Sequence, residues 1–183
     1  MKQIKKINKD LTMVTLKNDV LEVVLLNKGA SIFNLIFKGI DVVVGPKVLA
    51  DFIKYDHYYG KTIGRSSGRL FCSGFEIEGI KIYPKPFISE TYSLHGGANG
   101  FSTRYFNYVE SHENSAIFEI HSTSTDDGLP GDINLRVTYT LIDNILQLDY
   151  DGDTTETTLM NITNHAYFNL DGSPDILDHV IKS

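Results

Sequence analysis

Asn161-Ile162-Thr163-Asn164-His165-Ala166-Tyr167-Phe168-Asn169-Leu170 reads as a β-strand whose two faces differ sharply. Side chains on a strand alternate between faces. Ile162, Asn164, Ala166, Phe168 and Leu170 then share one mostly apolar face, suited to a core. Asn161, Thr163, His165, Tyr167 and Asn169 share the other, which is polar but carries no permanently ionised group. A histidine among amides and hydroxyls fits the wall of a polar pocket. The alternative is a surface strand whose histidine is simply hydrogen-bonded, since histidine serves many roles near neutral pH.

Outward from this stretch the chain is strand-rich. Residues 11–16, 21–26, 32–37 and 40–44 are dense in Val, Leu and Ile, and the run 21–26 is apolar enough to be buried on both faces. Lys38-Gly39 and Gly79 sit where tight hairpin turns are needed, the second between 75–78 and 80–83. Residues 105–109, 116–121, 133–142 and 145–150 repeat the pattern, with turns at 112–115 and Asp143-Asn144. No segment shows a long 3.6-residue apolar period with cap signals. The fold class is therefore all-β, a large antiparallel β-sandwich, and nothing marks an internal domain boundary.

Composition narrows the function. A net charge of −6 argues against general nucleic-acid binding. The single cysteine, Cys72, excludes an internal disulfide and a cysteine-based zinc site, and fits a reducing compartment. Met1-Lys2-Gln3-Ile4-Lys5-Lys6 is charged and lacks the apolar run of a signal peptide. No window approaches the roughly 20 apolar residues of a membrane helix. A cytoplasmic protein without membrane contact is expected.

Two further loops stand out. Gly64-Arg65-Ser66-Ser67-Gly68-Arg69-Leu70 sets two arginines between glycines, and Leu94-His95-Gly96-Gly97-Ala98-Asn99-Gly100-Phe101 sets a histidine before a glycine-rich turn. Glycines permit positive φ and close approach, although ordinary turns use them too. The first loop lacks the Gly-Lys-Ser/Thr ending of a phosphate loop. Asp126-Asp127-Gly128-Leu129-Pro130-Gly131 fails the spacing of a calcium loop and reads as a plain turn.

Taken together and in order, these segments resemble the aldose 1-epimerase, or galactose mutarotase, family. Residues 64–70 resemble its Gly-Arg-x-x-Asn-Arg-Ile segment, 94–101 its Leu-His-Gly-Gly-x-x-Gly-Phe segment, and 127–141 its Gly-Tyr-Pro-Gly loop and following strand. Residues 161–170 resemble its Asn-Leu-Thr-Asn-His-Ser-Tyr-Phe-Asn-Leu strand, the most specific of the four. The resemblance implies a galactose mutarotase-like supersandwich that interconverts the α and β anomers of aldoses such as galactose and glucose. It implies no cofactor and no metal. By resemblance His165 is the catalytic acid, His95 assists it, Arg69 binds sugar hydroxyls, and Arg65 is structural. Gly68 stands where the family has Asn, which removes one polar contact.

The family also continues well past its histidine strand, and its basic glutamate and a sugar-binding aspartate lie in that later part. No residue here matches the base; Glu156 and Asp171 are near the motif but in no matching segment. Residues 1–183 are therefore expected to be a single domain incomplete at the C-terminus, prone to self-association or completed by a C-terminal half. The alternative function is a non-catalytic carbohydrate-binding fragment. A metal site made of His95, His165 and a carboxylate lacks any ligand motif.

Overall fold

The computed structural model describes residues 1–55 and 57–182. In chain order the elements are β1 (Lys2–Lys6), β2 (Thr12–Lys17), β3 (Leu21–Leu26), β4 (Ser31–Phe37), β5 (Ile40–Asp41), α1 (Leu49–Lys54), β6 (Thr62–Ile63), β7 (Arg69–Phe71), β8 (Phe75–Ile77) and β9 (Ile80–Ile82). They continue with β10 (Tyr92–Leu94), β11 (Asn107–Val109), β12 (Ser115–Ser122), α2 (Ser124–Asp127), β13 (Ile133–Ile142), β14 (Ile145–Thr154) and β15 (Thr163–Asn164). Strands β1 to β5 form one antiparallel sheet in sequence order, and β11 to β14 form a second. β7 pairs with β10, β8 with β9, and β6 with β15.

The two large sheets pack face to face because both alternate. On β13, Ile133, Leu135, Val137, Tyr139 and Leu141 point inward while Asn134 and Arg136 point out. They meet Val14, Leu16, Val23 and Leu25 of the first sheet in one core that also takes Ala116 and Phe118. Each fully buried aliphatic side chain stabilises the sandwich by about 1.5–3 kcal/mol. The all-β sandwich expected from the sequence is the observed architecture.

The hairpin turns follow the residues that permit them. Lys38 and Gly39 take φ of 50° and 84°, and Glu78 and Gly79 take 49° and 80°. Two successive positive φ values make the turn whose twist matches that of paired strands. β3 is buried on both faces only at its end. Leu25 faces the sandwich interior and Leu26 a second core with Leu11 and Phe52, whereas Glu22 is half-exposed and pairs with Lys17 at 2.6 Å.

Two α-helical segments and a 3-10 turn at Phe101–Thr103 lie outside the sequence expectation. α1 covers the outer face of the first sheet, where Phe52 meets Phe33 edge to face at 5.1 Å. At six residues it is too short to display a helical period. α2 is a single turn at whose start the Asp126 carboxylate accepts the Thr123 backbone N–H at 2.9 Å.

Candidate active site

The segment 161–169 is threaded along 60–67 and then 42–44. Asn161 N–H donates to Arg65 O, Ser67 N–H to Asn161 O, His165 N–H to Lys61 O, and Gly60 N–H to His165 O, at 2.8–3.1 Å. Beyond the histidine, Val44 N–H donates to Tyr167 O and Asn169 N–H to Val42 O. Only Thr163 and Asn164 are regular strand, in register with Ile63 and Thr62. The single ten-residue strand expected from the sequence is thus corrected to a short strand with isolated bridges at Asn161 and Phe168. The physical cause is Asn164. Its side-chain oxygen accepts the Ala166 N–H at 3.0 Å, a local bond that competes with the ladder.

The face assignment changes accordingly. Ile162 and Ala166 pack on the main core, as expected, but Phe168 and Leu170 are 49% and 61% exposed. Asn164, the polar member of the apolar face, is pinned from beneath. Its amide donates to Gly60 O at 2.8 Å and to the Tyr139 hydroxyl at 3.3 Å, and that hydroxyl donates to Ala30 O at 2.6 Å. Burial pushes the Tyr139 phenol far above its ordinary range, so it remains a neutral donor.

His95 reaches the same place from β10. It takes φ of 53°, left-handed for a non-glycine residue, followed by Gly96 at 89°. Such a conformation costs on the order of 1–3 kcal/mol, which the surrounding contacts must offset. His95 N–H donates to Gly68 O at 2.9 Å, and Gly68 N–H donates to His95 Nδ1 at 3.1 Å. An Nδ1 that accepts leaves the proton on Nε2, which assigns the neutral tautomer. Gly96 must be glycine for a second reason: a Cβ there would fall inside the contact distance of the Gly64 carbonyl oxygen. Phe101 N–H then donates to Gly64 O at 3.1 Å, locking one glycine loop onto the other.

The outcome is an edge-to-face histidine pair, with the His95 and His165 ring centroids 5.1 Å apart at 90°. Both rings are partly exposed. Tyr58 touches both, 4.7 Å from His95 and 5.5 Å from His165, and Tyr167 lies 4.9 Å from His165. Arg69 is in register with Leu94, beside His95, and its guanidinium rests 5.2 Å from the Tyr92 ring centre. Burial holds the His95 pKa below its ordinary value, and the positive charges of His165 and Arg69 lower it further. His95 is therefore kept as the neutral Nε2–H donor.

The structure brings together His95, His165 and Arg69, which the sequence singled out. It adds Tyr58, which the sequence reading passes over; the aromatic doublet Tyr58-Tyr59 just before Gly60 was the available signal. Arg65 points away from the histidines into the protein. Its Nε is 3.0 Å from Asp127 Oδ2, and Nη1 donates to Pro130 O and Gly131 O at 2.9 Å. The 126–131 stretch is thus more than the plain turn expected, since it closes over a buried arginine. At Gly68, with φ of 75°, an added Cβ would meet nothing within 4 Å. Among the described residues no group of three or more His, Cys, Asp or Glu is placed to hold a metal. No helix among them is long and apolar enough to cross a membrane.

Comparison with known proteins agrees along nearly the whole length. The family model described as aldose 1-epimerase matches residues 12–183. Galactose mutarotase of Rattus norvegicus is 35% identical over 173 residues, covering 91% of this chain and 50% of that protein. Aldose 1-epimerase of Haemophilus influenzae is 35% identical over 148 residues, covering 78% and 42%. The crystal structure of an aldose epimerase homologue from C. elegans superposes with a TM-score of 0.81 at 34% identity, covering 88% of this chain and 51% of that one. The chain spans about half the length of the curated relatives it matches.

Proposed function

The chain belongs to the aldose 1-epimerase family, and from that premise we propose that it carries the proton-donating half of a mutarotase site for aldohexoses such as galactose or glucose. Mutarotation opens a hemiacetal and recloses it on the other face. The C1 hydroxyl gives up a proton as the ring oxygen gains one, the C1–O5 bond breaks, and rotation about C1–C2 presents the other carbonyl face. Concerted acid and base avoid both a free alkoxide and an oxonium ion. His165 protonates the ring oxygen. His95 donates its Nε2–H to a neighbouring sugar oxygen, and Arg69 offers its N–H fork to hydroxyl groups.

The single observation that carries this reading is the histidine pair, drawn to 5.1 Å from loops far apart in sequence. Burial, with the neighbouring His165 and Arg69 second, keeps His95 neutral and so able to donate its Nε2–H. The base is assigned to no residue of this chain. We assign it to a glutamate in a complementing C-terminal half, with residues 1–183 as one incomplete domain. The lone Cys72 and the acidic balance accord with work in the cytoplasm on a neutral sugar.

The test is mutarotation followed by polarimetry. It compares the 183-residue chain alone, the chain mixed with the C-terminal half of a family member, and a full-length fusion, each with His165→Asn as control. The chain alone is expected to show little acceleration. Restoring a positioned base should raise the rate by about 10²–10⁴-fold, and His165→Asn should abolish the gain. A fusion that folds but stays inactive, or whose activity survives His165→Asn, refutes the assignment.

A further inference from the structure

Beneath the histidine segment a phenol stands among apolar side chains. Tyr139 is fully buried on β13 in the main core, edge to face with Phe118. A buried hydroxyl is costly unless it is hydrogen-bonded, and phenylalanine would fill the same space without that demand. The bonds of this hydroxyl have a forced direction. Ala30 O can only accept, and it takes the Tyr139 proton at 2.6 Å and that of the Thr62 hydroxyl at 3.1 Å. The phenol oxygen is left to accept, and the Asn164 amide donates to it at 3.3 Å. The nitrogen side of that amide therefore faces Tyr139 and Gly60 O, and Oδ1 faces Ala166 N–H. The reversed amide would set its oxygen against the Gly60 carbonyl. Burial keeps the phenol neutral, so its proton stays in place.

Asn164 thereby brackets His165. Its oxygen holds the backbone just past the histidine, and its amide holds Gly60, whose N–H donates to His165 O at 3.1 Å. Gly60 is itself fixed to β4. Ile32 N–H donates to its carbonyl at 2.9 Å, and a Cβ at Gly60 would overlap Ile32 O. We propose that Tyr139 is a positioning residue for mutarotation: through the Asn164 amide its hydroxyl fixes the 164–166 backbone, and with it the direction of the His165 imidazole. The inference rests on the mutarotase reading of the histidine pair and adds to it a residue of the second sheet. Tyr139 is 0% exposed and out of reach of a sugar, so it acts by geometry alone. A misdirected acid weakens proton transfer in the transition state and leaves ground-state binding intact, so the loss falls on kcat and not on KM.

The test measures kcat and KM by polarimetry in the full-length fusion, and the His165 ring and Ala166 amide resonances in the 183-residue chain. Tyr139→Phe removes only the hydroxyl. It should lower kcat by on the order of tenfold with KM unchanged, and shift both sets of resonances. Asn164→Ala should do the same, and adding Tyr139→Phe to it should lower kcat no further, because the link is already cut. Val137→Ala, a core truncation on the same strand, should lower the melting temperature and leave kcat and the resonances as they are. In the unmodified chain both Asn164 amide protons should resist exchange with solvent, a readout that needs no variant to fold. Fast exchange there, wild-type kcat or unshifted His165 resonances in Tyr139→Phe, an equal loss of kcat in Val137→Ala, or losses that multiply in the double variant overturn the proposal. An unmodified fusion without mutarotation overturns the mutarotase reading, and the resonances and exchange alone then decide the positioning.

Discussion

Replacing Arg65 by methionine should be among the most damaging single changes in this fold. The guanidinium is fully buried, and Asp127 is 8% exposed. Nη1 serves Pro130 O, Gly131 O and the Thr158 hydroxyl, and Nη2 serves Thr123 O. Methionine fills the volume but leaves those acceptors unpaired and removes the charge beside Asp127. Burial already pushes the Asp127 pKa up, against the pull of Leu129 N–H and Arg65. Breaking one side of a buried pair costs about 3–5 kcal/mol. Domains are stable by roughly 5–15 kcal/mol, so this is a large fraction of the total. At a urea slope of about 2 kcal/mol per molar, the midpoint should fall by ~1.5–2.5 M. Arg136→Met provides the contrast. Its pair with Glu119 is shorter, at 2.6 Å, but the side chains are 53% and 38% exposed. An exposed pair is worth about 0–1 kcal/mol. Urea unfolding followed by circular dichroism would compare the two. Asp127→Leu added to Arg65→Met should recover part of the loss, because the buried carboxylate is then no longer left without its partner. Equal midpoints for Arg65→Met and Arg136→Met would refute the argument that the buried Arg65 pair stabilises the fold more than an exposed one.

The His95 ring should titrate below 6.5, and proton NMR of the ring would measure it. Between its folded and unfolded values the unfolded chain binds the extra proton, so this contribution to stability is present above about 6.5 and is lost as pH falls from there through the folded value. Arg69→Gln and His165→Asn should each raise the His95 midpoint only part of the way, since burial is the largest cause; no movement in either would refute the assigned geometry. Gly96→Ala should displace the His95 loop and destabilise the fold by ~1–3 kcal/mol, read as a lowered melting temperature and shifted His95 resonances. The exposed Phe168, Leu170, Leu177, Val180 and Ile181 should drive self-association of the isolated chain, and a monodisperse monomer by sedimentation across a hundredfold concentration range would contradict this.

Long strands were legible in the sequence because alternation and hairpin residues agree. β13 runs Ile133–Ile142 as read, and Lys38-Gly39 turns where a positive φ is cheapest. α1 was not legible, since six residues cannot display a period. The histidine strand was over-read. Period-two alternation describes side-chain type, whereas Asn164 diverts its own backbone by bonding Ala166 N–H, which no pattern of hydropathy encodes. Face alternation singled out His165 and the glycine-rich loop His95, whereas the roles expected of them came from resemblance. Tyr58, which touches both rings, was missed because an aromatic before a glycine is as ordinary in a core as in a site. Arg65 read as structural, but its partner Asp127 lay in a stretch that looked like a simple turn.

The bonds that tie His165 to residues 60–61 have a consequence for synthesis. The Asn164 amide reaches Gly60 across 104 positions of chain. At about 5–20 residues per second, residues 60–67 leave the ribosome roughly 5–20 s before the segment that pairs with them. Throughout that interval the backbone groups of Thr62 and Ile63 that β15 will occupy have no partner. An open strand edge is a template for wrong pairing. The histidine pair can thus assemble only after every strand from β1 to β14 has been synthesised. Slower translation between codons 67 and 161 would lengthen that exposure without altering a single atom of the finished site.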